Sequence, residues 1–359
     1  MAHTAIRGLT TAMIHTFFRR VKVDGLERLP KTGPVILVAN HANGLVDGIL
    51  LMSMLPRWPR FLGKATLFKI APLKPLLNAA GVIPVYRAKD AKPGETDRAA
   101  QNDATFAECR RLLGEGAMVA IFPEGISHDL DTLQPLKTGA ARIALTAVEE
   151  GAEGLMIVPV GLAYDAKATF RSHAVITIGD PIPVDPWVSS AASEAGLDER
   201  EAVRECTGAI TEGLRAVSPD FLAPPPPTAV THRLKARRVP STLRTNPSPI
   251  LIASAPVALV GALIHSVPYQ IVKRAARLPK SESIRSSVKL LGSTALFIAE
   301  WLGIGIFTWR RRSAAAAAVA VVAAPVTGYV AVRFAETVRD LAAQAAETGT
   351  DTAADQIRR

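Results

Sequence analysis

The sequence predicts an α/β fold, a mostly parallel sheet flanked by helices, followed by a C-terminal apolar helical region associated with a membrane. Three observations carry this expectation. Between residues 34 and 185, short apolar runs rich in β-branched residues alternate with helical periodicities, the pattern of a buried parallel sheet with crossover helices. Mean hydropathy is +0.20 although 21% of residues are charged, so the apolar excess must be concentrated in part of the chain. Three stretches nearly free of charge lie toward the C-terminus, at 245–272, 290–309 and 313–332, and each approaches the ~20 residues that span a bilayer.

A chain of 359 residues is long for one core and suggests a main domain of roughly 200 residues with an appendage. Residues 1–20 space Ile6, Leu9, Met13, Phe17 and Phe18 along one helical face. This is an N-terminal amphipathic helix, either interfacial or packed on the core, and it lacks the long apolar stretch and cleavage site of a signal peptide. An α/β domain is expected over 21–222. PVILVAN (34–40) is its clearest buried strand and runs into a helix ending near Leu55. RFLGKA and GVIPVYR (81–87) are further strands, 96–115 an amphipathic helix, and AMVAIFPEG (117–125) a strand broken by Pro and Gly. TGAARIALTAVEEG is a helix stopped by glycine, LMIVPVGLAY and HAVITIGDPIPV are the last strands, and a helix around 196–217 closes the domain.

APPPP then marks a stiff Pro-rich linker, and HRLKARRVPSTLR completes residues 223–244 with five Lys/Arg and no acid, either a solvated basic linker or, favoured by the adjacent apolar sequence, a clamp for anionic headgroups. The apolar region spans 245–340, and 341–359 is a polar tail. If all three apolar stretches spanned, basic flanks would fall on opposite sides and break the positive-inside rule; a re-entrant or shallow hairpin also fits the prolines and alanines. Net charge is +10, which favours anionic partners. Aromatic content of 5% without aromatics interleaved in basic stretches argues against nucleic acid. Cys109 and Cys206 have neither disulfide nor zinc spacing and read as buried thiols in a reducing compartment.

Polar clusters arrive at the carboxyl ends of three strands, where open α/β sheets bind ligands. VANHANGLVDG (38–48) places Asn40-His41 at a strand end, with Asp47 six positions after the histidine. A carboxylate on one imidazole nitrogen fixes the tautomer and leaves the other to accept a proton. The turn Asn40-His41-Ala-Asn-Gly opens a helix whose unpaired N–H groups are expected to form an anion site. No G-x-S-x-G elbow advertises a serine nucleophile, so a His–Asp base suits direct attack by a substrate alcohol on a thioester, which needs no metal. Arg87 ends the GVIPVYR strand, where a guanidinium can fork onto phosphate or pair Asp90 or Glu95. In Phe122-Pro123-Glu124-Gly125 the glutamate is placed to bind an acceptor hydroxyl or to hold Arg87, and Gly125 permits close backbone approach. Ser127 and His128 follow. Lys137 precedes a helix and Arg142 lies in it, each facing a phosphate or solvent.

Four blocks in this order resemble the glycerolipid acyltransferases, typified by 1-acylglycerol-3-phosphate and glycerol-3-phosphate acyltransferases: NHANGLVD (40–47), GVIPVYR (81–87), FPEGISH (122–128) and IVPVGL (157–162). The resemblance covers about residues 20–185. It implies that His41 is the general base, that Asp47 orients it, that Arg87 and Glu124 position the acceptor with Asn40, Gly125 and Ser127 beside them, and that Pro159 shapes the acyl wall. It implies an O-acyltransferase moving a fatty acyl group from acyl-CoA or acyl carrier protein, as co-substrate rather than cofactor, to glycerol-3-phosphate, dihydroxyacetone phosphate or lysophosphatidate in phospholipid synthesis. The enzyme would be membrane-associated on an anionic leaflet, its active site facing the cytoplasm. The rival readings are a non-catalytic lipid-binding protein with the same fold and a lipid hydrolase.

Two departures stand out. The usual His-x4-Asp is here His-x5-Asp, and one extra residue rotates Asp47 by ~100° on a regular helix; the Asn43-Gly44 pair is expected to absorb it through positive φ. The usual Glu-Gly-Thr-Arg is here Glu-Gly-Ile-Ser, so the second phosphate-clamp arginine is replaced by Ser127, with Lys137 or Arg142 the candidate substitutes. The longer spacing, FPEGISH and the apolar tail look more like the branch acylating glycerol-3-phosphate or dihydroxyacetone phosphate.

Overall fold

The computed structural model describes residues 2–71, 73–86, 98–130, 132–191, 198–218 and 249–358. Arg87, Asp90, Glu95 and the Pro-rich and basic linker lie outside them. The chain divides into two compact units, Met1–Lys235 with Pro279–Ser287, and Ala236–Leu278 with Val288–Arg359.

The first unit opens with α1 (Ala2–Phe17) and β1 (Phe18–Asp24). The helix expected to reach residue 20 therefore stops at Phe17, because Val21, Lys22 and Val23 switch to an alternation of period two. β2 (Val35–Ala39) is buried at every residue and leads into α2 (Leu45–Met54). Then come β3 (Pro59–Lys64), α3 (Lys74–Ala80), β4 (Ile83–Val85), α4 (Arg98–Gly114), β5 (Met118–Ile121), α5 (Gly139–Glu149) and β6 (Met156–Tyr164). The run expected as one last strand is two, β7 (Ser172–Ile178) and β8 (Ile182–Pro183), separated where Gly179 and Pro181 interrupt the ladder. α6 (Asp185–Ala191) and α7 (Glu199–Val217) follow.

Among the described residues the sheet order is β1-β7-β6-β2-β5-β3-β4, with β8 paired to β6. Pairings are parallel except those of β6 with β7 and β8. The observed architecture is thus the expected mostly parallel sheet between helices. Side chains alternate across it. Ile36, Val38, Val119, Ile121 and Ile157 share a core with Leu113 of α4, Ile143 of α5 and Ile210 of α7. Val35, Leu37 and Ala39 point to the other face, and α1 packs on α2. There Ile14, Phe17, Leu50, Leu51 and Leu55 are buried, each aliphatic side chain contributing about 1.5–3 kcal/mol. The first helix is therefore held on the core. Cys109 and Cys206 are free, buried thiols.

The described part of the apolar region is mainly four helices: α8 (Pro249–Ile264), α9 (Ser266–Ala275), α10 (Glu282–Arg311) and α11 (Ala314–Arg358). By length and composition α10 and the Ala314–Ala342 part of α11 suffice to cross a membrane, whereas α8 and α9 meet at a 56° bend, a broken span or re-entrant loop. Within the second unit, Gly261 of α8 lies so close to α11 that a Cβ there would stand 2.2 Å from the Thr327 carbonyl oxygen, the close approach that small residues allow between apolar helices. His265, buried at the bend, bonds Glu300 through Nδ1 and the Ala324 carbonyl through Nε2 at 2.9 Å, so both nitrogens of this buried ring are partnered.

Candidate active site

β2, β3, β5 and β6 run parallel, so their carboxyl ends share one edge of the sheet. His41 leaves β2 there, Phe122 leaves β5, and Tyr164 ends β6. Asn40 anchors the edge: its side-chain Nδ2 donates to the Leu162 carbonyl at 3.0 Å and its Oδ1 accepts from the Leu162 N–H at 2.7 Å. A side-chain amide thereby continues the β2–β6 ladder and fixes the start of the following turn.

The His41 ring stacks on Phe122, centroids 4.0 Å apart. Its Nδ1 lies 2.9 Å from Oδ2 of Asp47, whose side chain is fully buried. The carboxylate accepts, so the ring proton belongs on Nδ1, and Nε2, bonded to nothing among the described residues, presents its lone pair. Asp47 is saturated. Oδ2 also accepts the Asn43 N–H at 2.7 Å, and Oδ1 accepts the Tyr164 hydroxyl. Burial first, then the Asp47 charge and hydrogen bond, push the Tyr164 phenol well above its ordinary range; it remains a donor. The added residue of His-x5-Asp is absorbed at Gly44, at φ 57° and ψ −130° just before α2; among the described non-glycine residues, positive φ occurs only at Arg171, so Asn43 takes no part.

Glu124 is buried and triply engaged. Oε1 accepts the His41 N–H at 2.8 Å; Oε2 accepts the Gln134 N–H at 2.8 Å and meets Nε2 of His128. Ser127 Oγ accepts the Gly44 N–H at 3.1 Å. This corrects the expected anion site: the N–H groups of His41, Asn43 and Gly44 are taken by Glu124, Asp47 and Ser127, because three polar side chains reach the turn before any ligand.

Phe122 to Gly125 is a tight turn closed by the Gly125 N–H to the Phe122 carbonyl at 3.0 Å, and Gly125 has φ 67°. A Cβ there would meet Nζ and Cε of Lys137 at 2.9 Å. Lys137 therefore lies along the turn, its own N–H on the Pro123 carbonyl at 2.9 Å. Arg142 is exposed on the first turn of α5 and contacts none of this cluster among the described residues. Pro159 sits under α7, its ring near Gly179 and Gly213, on the helical core side of the sheet rather than beside His41.

Sequence reasoning missed Tyr164, Asp129, Lys167 and the 279–287 segment. Tyr164 was findable by the strand-end rule that found His41. Lys167 Nζ donates to the Ala42 carbonyl at 3.2 Å and pairs with Asp129. Asp129 accepts the N–H groups of Glu282 and Ser283 at 2.9 and 3.1 Å, capping the start of α10 inside the first unit; no local signal announces this partner. A cavity of about 180 Å³ opens here, lined by Asn40, Glu124, His128, Tyr164, Lys167 and Glu282 among others.

Residues 20–163 match the family model described as Acyltransferase. An uncharacterized acyltransferase of Schizosaccharomyces pombe is 27% identical over 312 residues, covering 62% of this chain and 46% of that protein. Glycerol-3-phosphate O-acyltransferase 1 of Saccharomyces cerevisiae is 28% identical over 287 residues, 57% of this chain and 38% of its own length. The human 1-acyl-sn-glycerol-3-phosphate acyltransferase beta is 27% identical over 164 residues, 44% and 54% of the two chains. The chain thus spans less than half the length of the first two relatives. Over residues 20–163 the α/β unit built around His41 and Asp47 is thus similar to the acyltransferases.

Proposed function

We propose that the protein is a membrane-associated O-acyltransferase of glycerolipid synthesis, moving a fatty acyl group from a thioester on CoA or acyl carrier protein to a hydroxyl of a phosphorylated glycerol. The observation that carries this is the His41–Asp47 pair at 2.9 Å, with Nε2 left as the basic nitrogen. The acceptor hydroxyl gives its proton to Nε2 as its oxygen attacks the thioester carbonyl. The C–S bond then breaks, and the thiolate leaves with the proton held by the imidazolium, so atoms and charge balance without a cofactor. Asp47, held by Tyr164 and the Asn43 N–H, orients the ring and stabilises its charged form.

Lys137 is the cation that replaces the absent clamp arginine, because its ammonium lies on the FPEG turn and no carboxylate among the described residues pairs with it. Arg87 completes the phosphate site in this reading. The glycerol-3-phosphate or dihydroxyacetone phosphate branch is favoured over lysophosphatidate by the His-x5-Asp spacing. The site faces the cytoplasm, where both acyl donors are supplied.

The test is an acceptor panel on membranes carrying the protein, with labelled acyl-CoA or acyl carrier protein and each of glycerol-3-phosphate, dihydroxyacetone phosphate and lysophosphatidate. One acceptor is expected to be acylated, and His41→Ala to lower turnover by about 10²–10⁴-fold. Undiminished transfer by His41→Ala, or free fatty acid without acylated acceptor, overturns the assignment. Lys137→Ala should raise KM for the phosphorylated acceptor roughly tenfold with a smaller effect on kcat.

A further inference from the structure

Between Asp47 and Asp90 the sequence has no acidic residue and seven basic ones, Arg57, Arg60, Lys64, Lys69, Lys74, Arg87 and Lys89. With 32 acids in 359 residues, such a length would ordinarily carry about four. The run leaves the sheet at Lys64, the last residue of β3, makes one short helical turn over Ala65–Lys69 and enters α3. Its surface combines two chemistries. Lys69 and Lys74 are exposed and pair with no carboxylate among the described residues. Ile70 is 47% and Leu76 51% exposed, and α1, which packs on α3, adds Leu9 at 41%.

We propose that this acid-free face is the surface by which the catalytic unit sits on an anionic bilayer, with Ile70 and Leu76 in the headgroup and acyl boundary and Lys69 and Lys74 on lipid phosphates. Lone exposed aliphatics are ordinary. Aliphatics interleaved with lysines over a stretch without one acid are the pattern of interfacial insertion. Bare aliphatics rather than stacking aromatics fit lipid and not nucleic acid.

The face is also in the right place. β3 is parallel to β5 and β5 to β2, so the run leaves the same sheet edge as His41. A stack joins them: Phe61 of β3 lies 5.8 Å from Phe122, which lies 4.0 Å from His41. Seating this face on lipid presents the base to a chain-bearing substrate without withdrawing it from the bilayer. The inference rests on the acyltransferase reading for its purpose, but its readout is depth rather than turnover, so the two fail separately.

The experiment uses the full chain in proteoliposomes of phosphatidylcholine with phosphatidylglycerol. Ile70→Cys, Leu76→Cys and, as reference at the exposed last residue of α5, Glu149→Cys each receive an environment-sensitive fluorophore; the buried Cys109 and Cys206 do not compete for label. Lipids spin-labelled near the headgroup are expected to quench positions 70 and 76 and to spare 149. With Lys69→Glu and Lys74→Glu together, or the milder Gln pair should the first fail to fold, quenching at 70 and 76 falls toward the level at 149. Equal quenching at all three positions, or quenching unaffected by either lysine pair, overturns the proposal.

Discussion

In the proposed reaction Asp47 orients the base, and its fully buried side chain leaves nothing about its position to solvent. Three donors fix both of its oxygens, and removing one tests how far the base depends on them. Tyr164→Phe should lower kcat about tenfold with KM little changed, since a hydrogen bond to a charged group contributes about 1.5–3 kcal/mol. The phenol is held protonated well above its usual range by burial and by Asp47. The loss should therefore be the same from neutral pH to about pH 10, and the wild-type pH–rate profile should show no alkaline limb from this group. Gly44→Ala is the second residue-scale prediction. At φ 57° its new methyl would also press on Ser287 Oγ at 3.3 Å and the Ser283 carbonyl at 3.4 Å. Such strain costs about 1–3 kcal/mol, read as a lowered Tm together with lost activity. The glycine was legible in the sequence as the residue able to absorb the longer spacing; that Asn43 would keep ordinary backbone and give its N–H to Asp47 was not.

At the scale of elements, the start of α10 is held to the α/β unit by Asp129. Burial would raise this carboxyl, but the N–H groups of Glu282 and Ser283, with Ser281 and Lys167, hold it below its ordinary value of 3.8. A depressed folded-state pKa means the cap contributes fully above that ordinary value and is lost as pH falls through the folded one. Amides at 282–287 should thus lose hydrogen-exchange protection on acidification below about pH 4. At neutral pH Asp129→Ala should speed their exchange by an amount equivalent to about 0.5–2 kcal/mol, the usual worth of an N-cap. Most elements followed from periodicity and turn residues, whereas β1, α3 and α6 were not anticipated. Two boundaries moved where a local pattern changed, at Phe17 and at Gly179, because a helix face and a strand edge both begin with apolar residues and only pairing partners separate them.

For the molecule as a whole, the two thiols report on global unfolding. Burial chiefly pushes Cys109 and Cys206 up to about 12, against an ordinary 9.0. A raised folded-state pKa gives stability that is intact below pH 9 and lost as pH climbs toward 12. Urea unfolding should therefore show a steady midpoint from neutral pH to about 9 and a falling one beyond, and Cys109→Ala with Cys206→Ala should flatten that fall. Iodoacetamide at mild alkaline pH should label neither thiol until the protein unfolds.

The sequence by itself determined the parallel α/β core, the order of the acyltransferase blocks, the His41–Asp47 pairing and the apolar tail, since each is written in spacings of two to six residues or in composition. Tertiary structure decided what those residues touch. The parallel register of β2 beside β6 brings Tyr164 to Asp47 and Leu162 to Asn40. The FPEG turn lays Lys137 over Gly125 and fastens Glu124 to the backbone of His41. The 279–287 segment, far along the chain, closes on Asp129. Pro159 falls on the helix-packed face because side chains alternate across a strand, and motif order carries no information about which face a residue takes. Local pattern fixes elements; which side chains meet is set by strand order and register, which join residues more than a hundred positions apart.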